Sequence, residues 1–557
     1  MKSILYTLFG LTLSFGLSAQ TFNEVATIFQ TNCASSNCHG NGAGGLTFTP
    51  DMSTGELYDV LVSSAPNNAW ASDRNMPLVS AGHPDNSFLY RKINKDLHED
   101  SALPPAGGSS MPISEELEAH EIELVRQWIL FGAREEGTFI DSDILVDFYE
   151  GNGLAPVEKP AAPAAGEGFQ LHFGRMFLEP DEEKEWIYKR TLENEALEIT
   201  KIEVVMDSDF SHHFLLFQSP DDINQSPGLI DVGFFGNAQA ITSDTKMVGG
   251  WAYSRELDLP AGTAYTWEEN TTLKFNYHIR NYSTTSVLPA DVYINVYTQP
   301  VGTAIKEMHS DFYLNTNFPD YNIGAGETKT ISHSVPNDNF FSNESFETPP
   351  AGEPNEVHLW LFGGHTHQWG TDYDAWLKNP DGTIGEKIYE GFYNIDYEFN
   401  QGFYDFEEPA MRLFDPLISF DRNVGIYSEG QYHNQGTSTA QFGLTTEDEM
   451  QGFFVQYLVG DISQLPETEE PTTTGINDLV EADLFNVYPN PSNGLVQIQL
   501  FDKSETASIR VYNAVGARVR FQTLDNNQLD LSDLANGMYV VEVRQGKEVH
   551  KKKIIKQ

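Results

Sequence analysis

Apolar positions recur at two different spacings along this chain, and the change of spacing divides it. In "SEELEAHEIELVRQWILFGA", Leu117, Ile122, Leu124, Val125, Trp128 and Ile129 follow helical spacing behind Ser114, a candidate N-cap, so a helix closes a small helical region over residues 22–135. From about 169 to 462 the apolar residues come instead in short alternating or continuous runs, such as "ITKIEVVM", "LKFNYHIRNY", "VYINVYTQ" and "EVHLWLFGG", separated by Asn, Asp, Gly and Pro turns. That pattern predicts β-sandwich architecture, with room for two sandwiches, 169–300 and 301–462. A further evenly spaced set of strands with "NPSNG" and "ANG" turns fills 481–557. "GLAPVEKPAAPAAGEG", inside 136–168, and "LPETEEPTTTGIND", covering most of 463–480, lack periodicity and read as linkers. The fold class expected is therefore multidomain: a small all-α domain, two all-β sandwiches, then a small β-sandwich.

Charge and the N-terminus narrow the setting. Lys and Arg number 33 against 81 Asp and Glu, a formal charge of −48, which repels nucleic acid and anionic lipid and argues against a nucleic-acid partner. "MKSILYTLFGLTLSFGLSAQ" has a basic start, an apolar stretch and a small-residue exit, as an export signal over residues 1–19 does. No later stretch of about 18 apolar residues follows, so no transmembrane segment is expected after signal removal.

In the last segment, "YPNPSNG", the strand "VYNAVGARV" and the ending "GMYVVEVRQG" with its basic tail resemble the C-terminal sorting domain of cargo of the type IX secretion system of Bacteroidetes, an Ig-like β-sandwich. The resemblance implies a secreted or cell-surface protein that engages the type IX secretion machinery. It also assigns Lys551, Lys552 and Lys553 to an address rather than to a nucleic-acid patch.

The chain uses Cys only twice, in "TNCASSNCHG". Cys33 and Cys38 with His39 directly behind form a widened version of the C-x-x-C-H signature, in which two thiols attach haem c and the following His ligates iron. The same spacing also permits a Cys33–Cys38 disulfide. Downstream, "GHPDNSFLYRKI", "LPPAGGSSMPISEEL" and "IELVRQWILFGA" resemble class I cytochrome c domains. That resemblance implies one covalent haem c with Met111 as the second axial ligand, Met76 in reserve, and electron transfer as the role.

The 15 histidines cluster in the middle of the chain. His365 and His367, two apart on a strand, face the same side and can grip one ion. His212 and His213 are adjacent and face opposite sides unless the strand ends or bulges there. Imidazole suits copper, zinc, iron or nickel, and a thioether such as Met450 would select soft Cu(I). His172, His309, His333, His358 and His433 read as core or hydrogen-bonding residues.

"HHFLLF", the "NYH" strand, "GGHTHQWG" and "YHNQGTSTAQFGLTTEDEM" resemble, in the same order, the copper type II ascorbate-dependent monooxygenases, the family of peptidylglycine α-hydroxylating and dopamine β-monooxygenase. The resemblance implies two jelly-roll sandwiches, each with one copper ion. His212, His213 and His278 would hold the electron-storing copper; His365, His367 and Met450 would hold the catalytic, O₂-binding copper. It further implies O₂ and a small organic substrate as partners, C–H hydroxylation as the reaction, and ascorbate as reductant. The haem c domain supplies electrons in this reading, and an external donor reloads the haem. At the positions where the peptidylglycine branch holds a substrate carboxylate stand Gly363, Gly452 and Phe454, none able to pair with one, and Trp360, Trp369, Phe453 and Phe454 offer either pocket or core. Two other classes stay open: a non-catalytic electron-transfer or copper-binding protein, and a sugar- or surface-binding sandwich with a haem domain.

Overall fold

The structure is a computed structural model. It describes residues 20–113, 116–207, 210–219, 228–231, 246–251, 254–338, 343–391, 393–394, 399–400, 404, 406, 409–443, 445–466, 485–500, 507–513, 518–523, 527–545 and 548–557. The export signal, Ser114 and most of the second linker lie outside these. The chain forms two units, Met1–Leu154 with Gln225–Ile230, and Ala155–Asn224 with Asp231–Gln557.

In the first unit the regular elements between Thr21 and Asn152 are all helical. Helix Thr21–Asn32 buries Phe22, Val25, Ala26, Ile28 and Phe29, one face of a 3.6-residue period. That face meets helix Ala119–Leu130, where the Phe22 and Trp128 rings lie 5.1 Å apart. The second helix starts at Ala119, later than the apolar periodicity alone suggests. Its first turn is closed by the Glu118 N–H donating to Glu121 Oε2 at 2.9 Å. Glu123 on this helix is fully buried and touches His98 at 2.7 Å and Arg126 at 2.8 Å.

The second unit is a succession of paired antiparallel sheets, and the mostly β-sandwich, multidomain class expected from the apolar runs is what it contains. In the first sandwich, strands Gly168–Leu178, Leu288–Gln299, Leu197–Met206 and Thr263–Trp267 pair in that order. They face a sheet of Glu183–Thr191, Thr272–Arg280, Ser211–Ser219 and Lys246–Trp251. Phe173 from one sheet stacks on Phe275 from the other, 5.7 Å between centroids, with Tyr188 and Phe214 beside them. In the second sandwich, His309–Leu314, Gln451–Val459, Glu356–Thr366 and Met411–Asp421 pair in that order, against Thr328–Val335, Ile426–His433, Gly370–Lys378 and Ile384–Glu390. Its core runs between the sheets through Val335, Leu359, Phe362, Tyr373, Phe453 and Val455.

The last sandwich pairs Phe485–Tyr488, Leu495–Leu500 and Gln528–Asp530 in one sheet, and Arg518–Thr523, Ala507–Asn513, Gly537–Gln545 and Glu548–Lys556 in the other. Ile498, Val511, Val541 and Ile554 fill the space between. Glu542 is buried here within 2.8 Å of Arg544, 2.9 Å of Lys551 and 3.7 Å of Arg510. Lys551, with a side chain only 6% exposed, is thus a structural residue of this sandwich. Among the described residues no helix is long and apolar enough to cross a membrane.

Candidate metal centre

Two neighbouring strands of the first sandwich bring three histidines together. On strand Ser211–Ser219, Ser211 stands opposite Ile279 and His213 opposite His278, so His212 is an extra residue on one strand only. Such a bulge breaks the alternation of faces. It lets the adjacent His212 and His213 both turn toward His278, with ring centroids 4.9 Å (His212–His278) and 5.2 Å (His213–His278) apart.

In the second sandwich, strand Glu356–Thr366 delivers His365 and, one residue past its end, His367. His365 stands opposite Gly452 and Thr366 opposite Gln451. Met450 directly precedes Gln451, the residue paired with Thr366, and is buried. A Cβ at Gly452 would come within 2.6 Å of the Phe312 ring, and that ring packs edge-on against His365 with centroids 5.6 Å apart. Glycine opposite His365 is what leaves space for this contact.

The two histidine sets meet. His212 lies 5.3 Å from His365 and 5.2 Å from His367 between ring centroids. His365 and His367 are 5.3 Å apart. Ring nitrogens of His212, His213 and His278, and likewise of His212, His365 and His367, fall within 4.8 Å of one another. His212 belongs to both groups, a sharing that the order of motifs along the chain does not reveal.

The chemistry of these nitrogens fits a metal. Among the described residues, both ring nitrogens of His212 and of His367, and Nδ1 of His213 and His278, are buried without a hydrogen-bond partner. Buried polar atoms are nearly always satisfied, because leaving one unmade costs about 1–3 kcal/mol. Here the unpartnered atoms converge on one another, as the ligands of a metal ion do. Burial and the neighbouring imidazoles push His212 and His365 well below the usual histidine range and bring His367 down to about 3, so all three are neutral donors at pH 7.

Behind the rings stand groups that sequence reasoning missed. His278 Nε2 meets Glu183 Oε1 at 2.6 Å. His213 Nε2 meets Asn276 Oδ1 at 3.0 Å, and Asn276 Nδ2 donates to Glu185 Oε1 at 2.9 Å. Outer nitrogens held by carboxylate or amide oxygens, with Nδ1 left to face inward, orient imidazoles for metal binding. Burial works to raise the Glu183 carboxyl, but hydrogen bonds from His278 and Thr446 bring it down to about 2. On the other side, Glu449 accepts backbone N–H groups of Trp369 at 2.8 Å, Met450 at 3.1 Å and His367 at 3.3 Å. Burial nevertheless pushes its carboxyl up to about 8. The available signals were acidic residues two apart in the half-apolar run "EKEWIY" and a glutamate beside the candidate Met.

The five histidines read as core or hydrogen-bonding residues are occupied elsewhere. His172 contacts Asp291 at 2.8 Å, His333 contacts Glu344 at 2.7 Å, and His358 contacts both Ser419 and Gly460 at 2.7 Å. His433 contacts Thr328 at 3.0 Å, and His309 stacks on Tyr457. Of the aromatic residues that offered a pocket, Phe453 stacks on Phe362 inside the core and Phe454 and Trp360 are buried. Trp369 donates its indole N–H to the Glu447 carbonyl at 3.0 Å.

In the first unit, Cys33 caps helix Thr21–Asn32 and the His39 N–H returns to the Cys33 carbonyl at 3.1 Å, which closes the loop between them. Gly40 is required there, since a Cβ would meet the Ala34 carbonyl at 2.6 Å. Both cysteines are free thiols. Burial, with Cys38 nearby, pushes the Cys33 thiol up to about 12. His39 stacks on Phe48 at 4.9 Å and turns Nδ1 toward the Leu46 carbonyl, 3.4 Å away, leaving Nε2 without a hydrogen bond among the described residues. Two free thiols and a histidine held by one nitrogen fit haem c attachment. Met111 stands on a separate, half-buried loop whose N–H donates to the Lys92 carbonyl at 2.6 Å, and Met76 is buried.

No curated protein matches the chain. Solved structures with some likeness include the PBSX exported protein XepA, at 12% identity over 54% of this chain and 90% of that chain with a TM-score of 0.14. The glycoside hydrolase domain of Endo-D from Streptococcus pneumoniae R6 follows at 11% identity over 50% and 39%, TM-score 0.11. Parabacteroides merdae β-glucuronidase gives 9% identity over 47% and 31%, TM-score 0.10. Residues 486–557 match the family model described as a secretion system C-terminal sorting domain. That segment is a type IX secretion sorting domain, and it directs the protein to secretion or the cell surface.

Proposed function

We propose that this is a secreted copper monooxygenase that hydroxylates a C–H bond of a small organic substrate with O₂ and draws electrons from its own haem c domain or from ascorbate. The observation that carries the reading is the convergence of five histidines from two sandwiches, with six buried ring nitrogens left unpartnered. His212, His213 and His278 would hold one copper ion, and His365, His367 and Met450 the other, with Cys33, Cys38, His39 and Met111 holding the haem. Bound copper supplies one-electron storage and O₂ reduction, which C–H hydroxylation needs and protein side chains cannot provide.

The chain's own part is orientation and exclusion of water. Glu183 and Asn276 hold the outer nitrogens of His278 and His213 at 2.6 and 3.0 Å, which fixes each tautomer with Nδ1 inward. Glu449 gathers the N–H groups of His367, Trp369 and Met450 on one carboxyl and so holds the turn after His365. Phe312 and Phe406 pack against His365 and His212, with centroids 5.6 and 6.0 Å apart, and shield the cluster. The paired sheets support the jelly-roll expectation, and the helical first unit supports the cytochrome c-like one.

Burial of Phe453 in the core, with Trp360 and Phe454 also buried, favours, as a second reading, a copper-binding electron carrier without a substrate pocket. Stopped-flow reoxidation of the reduced haem by O₂, with copper-loaded and copper-stripped protein, separates the two. Much faster oxidation with copper supports the enzyme; coincident traces support the carrier. Removing residues up to about 150 is expected to abolish haem-driven turnover while sparing turnover with a small reductant.

A further inference from the structure

We propose that Glu183 is a positioning residue that couples the two histidine sets, holding His278 of one and, through Thr446, the loop that carries Met450 of the other. The proposal rests on the copper reading above.

One oxygen of Glu183 receives three donors: His278 Nε2 at 2.6 Å, the Thr446 hydroxyl at 2.6 Å and the Thr446 N–H at 2.9 Å. Glu183 lies on strand Glu183–Thr191 of the first sandwich, whereas Thr446 lies in the second, 263 residues away in sequence. Its other oxygen lies 3.9 Å from Arg280, and because His278 and Thr446 share one oxygen, a movement of His278 that carries the carboxylate also acts on Thr446.

The loop beyond Thr446 is braced. The Thr445 hydroxyl donates to Asp448 Oδ2 at 2.7 Å, the Asp448 N–H returns to the Thr445 carbonyl at 3.0 Å, and the Glu449 N–H donates to the Gln441 carbonyl at 2.8 Å. A braced loop transmits displacement rather than absorbing it. Three residues on, the Glu449 carboxyl accepts the N–H groups of Met450 and His367, so the path from His278 through Glu183 and Thr446 ends on two residues of the second set. Coupling of this kind is reciprocal: what metal at one set does to the other, the other does in return.

The test uses the full chain and Cu(I), titrated against a chromophoric chelator, with X-ray absorption to read the copper–sulfur component. Thr446→Val keeps the size and the N–H but removes the hydroxyl, and Thr446→Ser restores it. Loss of an outer-shell partner typically weakens metal binding about 10- to 100-fold. Thr446→Val is expected to weaken Cu(I) binding at both sets about tenfold and to diminish the copper–sulfur component, although Thr446 is a ligand of neither. Thr446→Ser should bind as the wild type does. Glu183→Gln should weaken both sets, and adding Thr446→Val to it should cost little more, because the two act in one path. A Thr446→Val protein with wild-type affinities and an intact sulfur component overturns the coupling, as do losses from Glu183→Gln and Thr446→Val that simply add. Wild-type protein that binds no Cu(I), or binds it without sulfur, overturns the copper reading itself and the coupling with it.

Discussion

His212 and His367 belong to different sandwiches, yet their ring centroids lie 5.2 Å apart, inclined at 74°, and neither ring has a hydrogen bond on either nitrogen among the described residues. The first strand supplies His212 because it bulges, and the second is followed by His367 one residue past its end.

This relationship predicts opposite effects of one substitution with and without metal. His212→Phe keeps a ring of similar shape and removes two unsatisfied buried nitrogens, each of which costs about 1–3 kcal/mol. Metal-free protein should be at least as stable as the wild type. Copper should raise the Tm of the wild type, as any ligand of the native state does, and raise that of His212→Phe less. Bound copper measured after dialysis should fall at both sets in this variant but at one set in His213→Ala or His365→Ala. Equal losses in all three variants would show that His212 is not shared.

Glu449 predicts a split between two substitutions. Ala at this position leaves the buried N–H groups of His367 and Met450, and the part-buried N–H of Trp369, without this acceptor. At about 1–3 kcal/mol each, the loss should amount to several kcal/mol by denaturant unfolding. Glu449→Gln keeps a carbonyl oxygen as acceptor and should lose much less. Equal losses would place the role of Glu449 outside these bonds.

How far the sequence was legible follows from the range of each effect. Helix Ala119–Leu130 and the β-sandwich class were visible because burial repeats along neighbouring residues, as in Ile122, Val125 and Ile129. His365 and His367 were legible as a pair for the same local reason, two residues apart at the end of one strand. The bulge that turns His212 was foreseeable only as a condition, since register depends on the partner strand. Thr446 was not legible at all: its role is a contact with Glu183 across 263 residues, and nothing in "GLTTEDEM" distinguishes it from Thr445. Nor could motif order show that five histidines from two sandwiches converge, because order carries no distance between elements.

Glu542 predicts where the sorting sandwich is vulnerable. It is buried against Arg510, Arg544 and Lys551, and removing one side of a buried charge cluster costs about 3–5 kcal/mol. Glu542→Gln should therefore speed hydrogen exchange across Gly537–Gln545 and lower the secreted fraction. Lys553→Ala, at an exposed position, should change stability by less than about 0.5 kcal/mol. An unaltered exchange pattern in Glu542→Gln would count against a structural role for the cluster.

Glu123 predicts how the helical unit responds to acid. Burial alone would raise its carboxyl, but Arg126 and His98, with hydrogen bonds from His98 and Gln127, bring it from 4.5 down to about 2. Between those values the unfolded chain binds a proton that the folded chain does not, so stability falls as pH falls. The contribution, about 3 kcal/mol, is fully present above pH 4.5 and is lost as pH drops through about 2. Hydrogen exchange in helix Ala119–Leu130, followed in the full chain from pH 6 to the lowest tolerated pH and corrected for intrinsic rates, should show opening growing easier below about pH 4.5. Glu123→Gln should begin less stable at neutral pH, because buried Arg126 loses its ionised partner at 2.8 Å, and should flatten the acid dependence. If the wild type and Glu123→Gln show parallel pH profiles, the acid sensitivity arises elsewhere in the unit, and the buried Glu123–Arg126–His98 group holds geometry without setting stability.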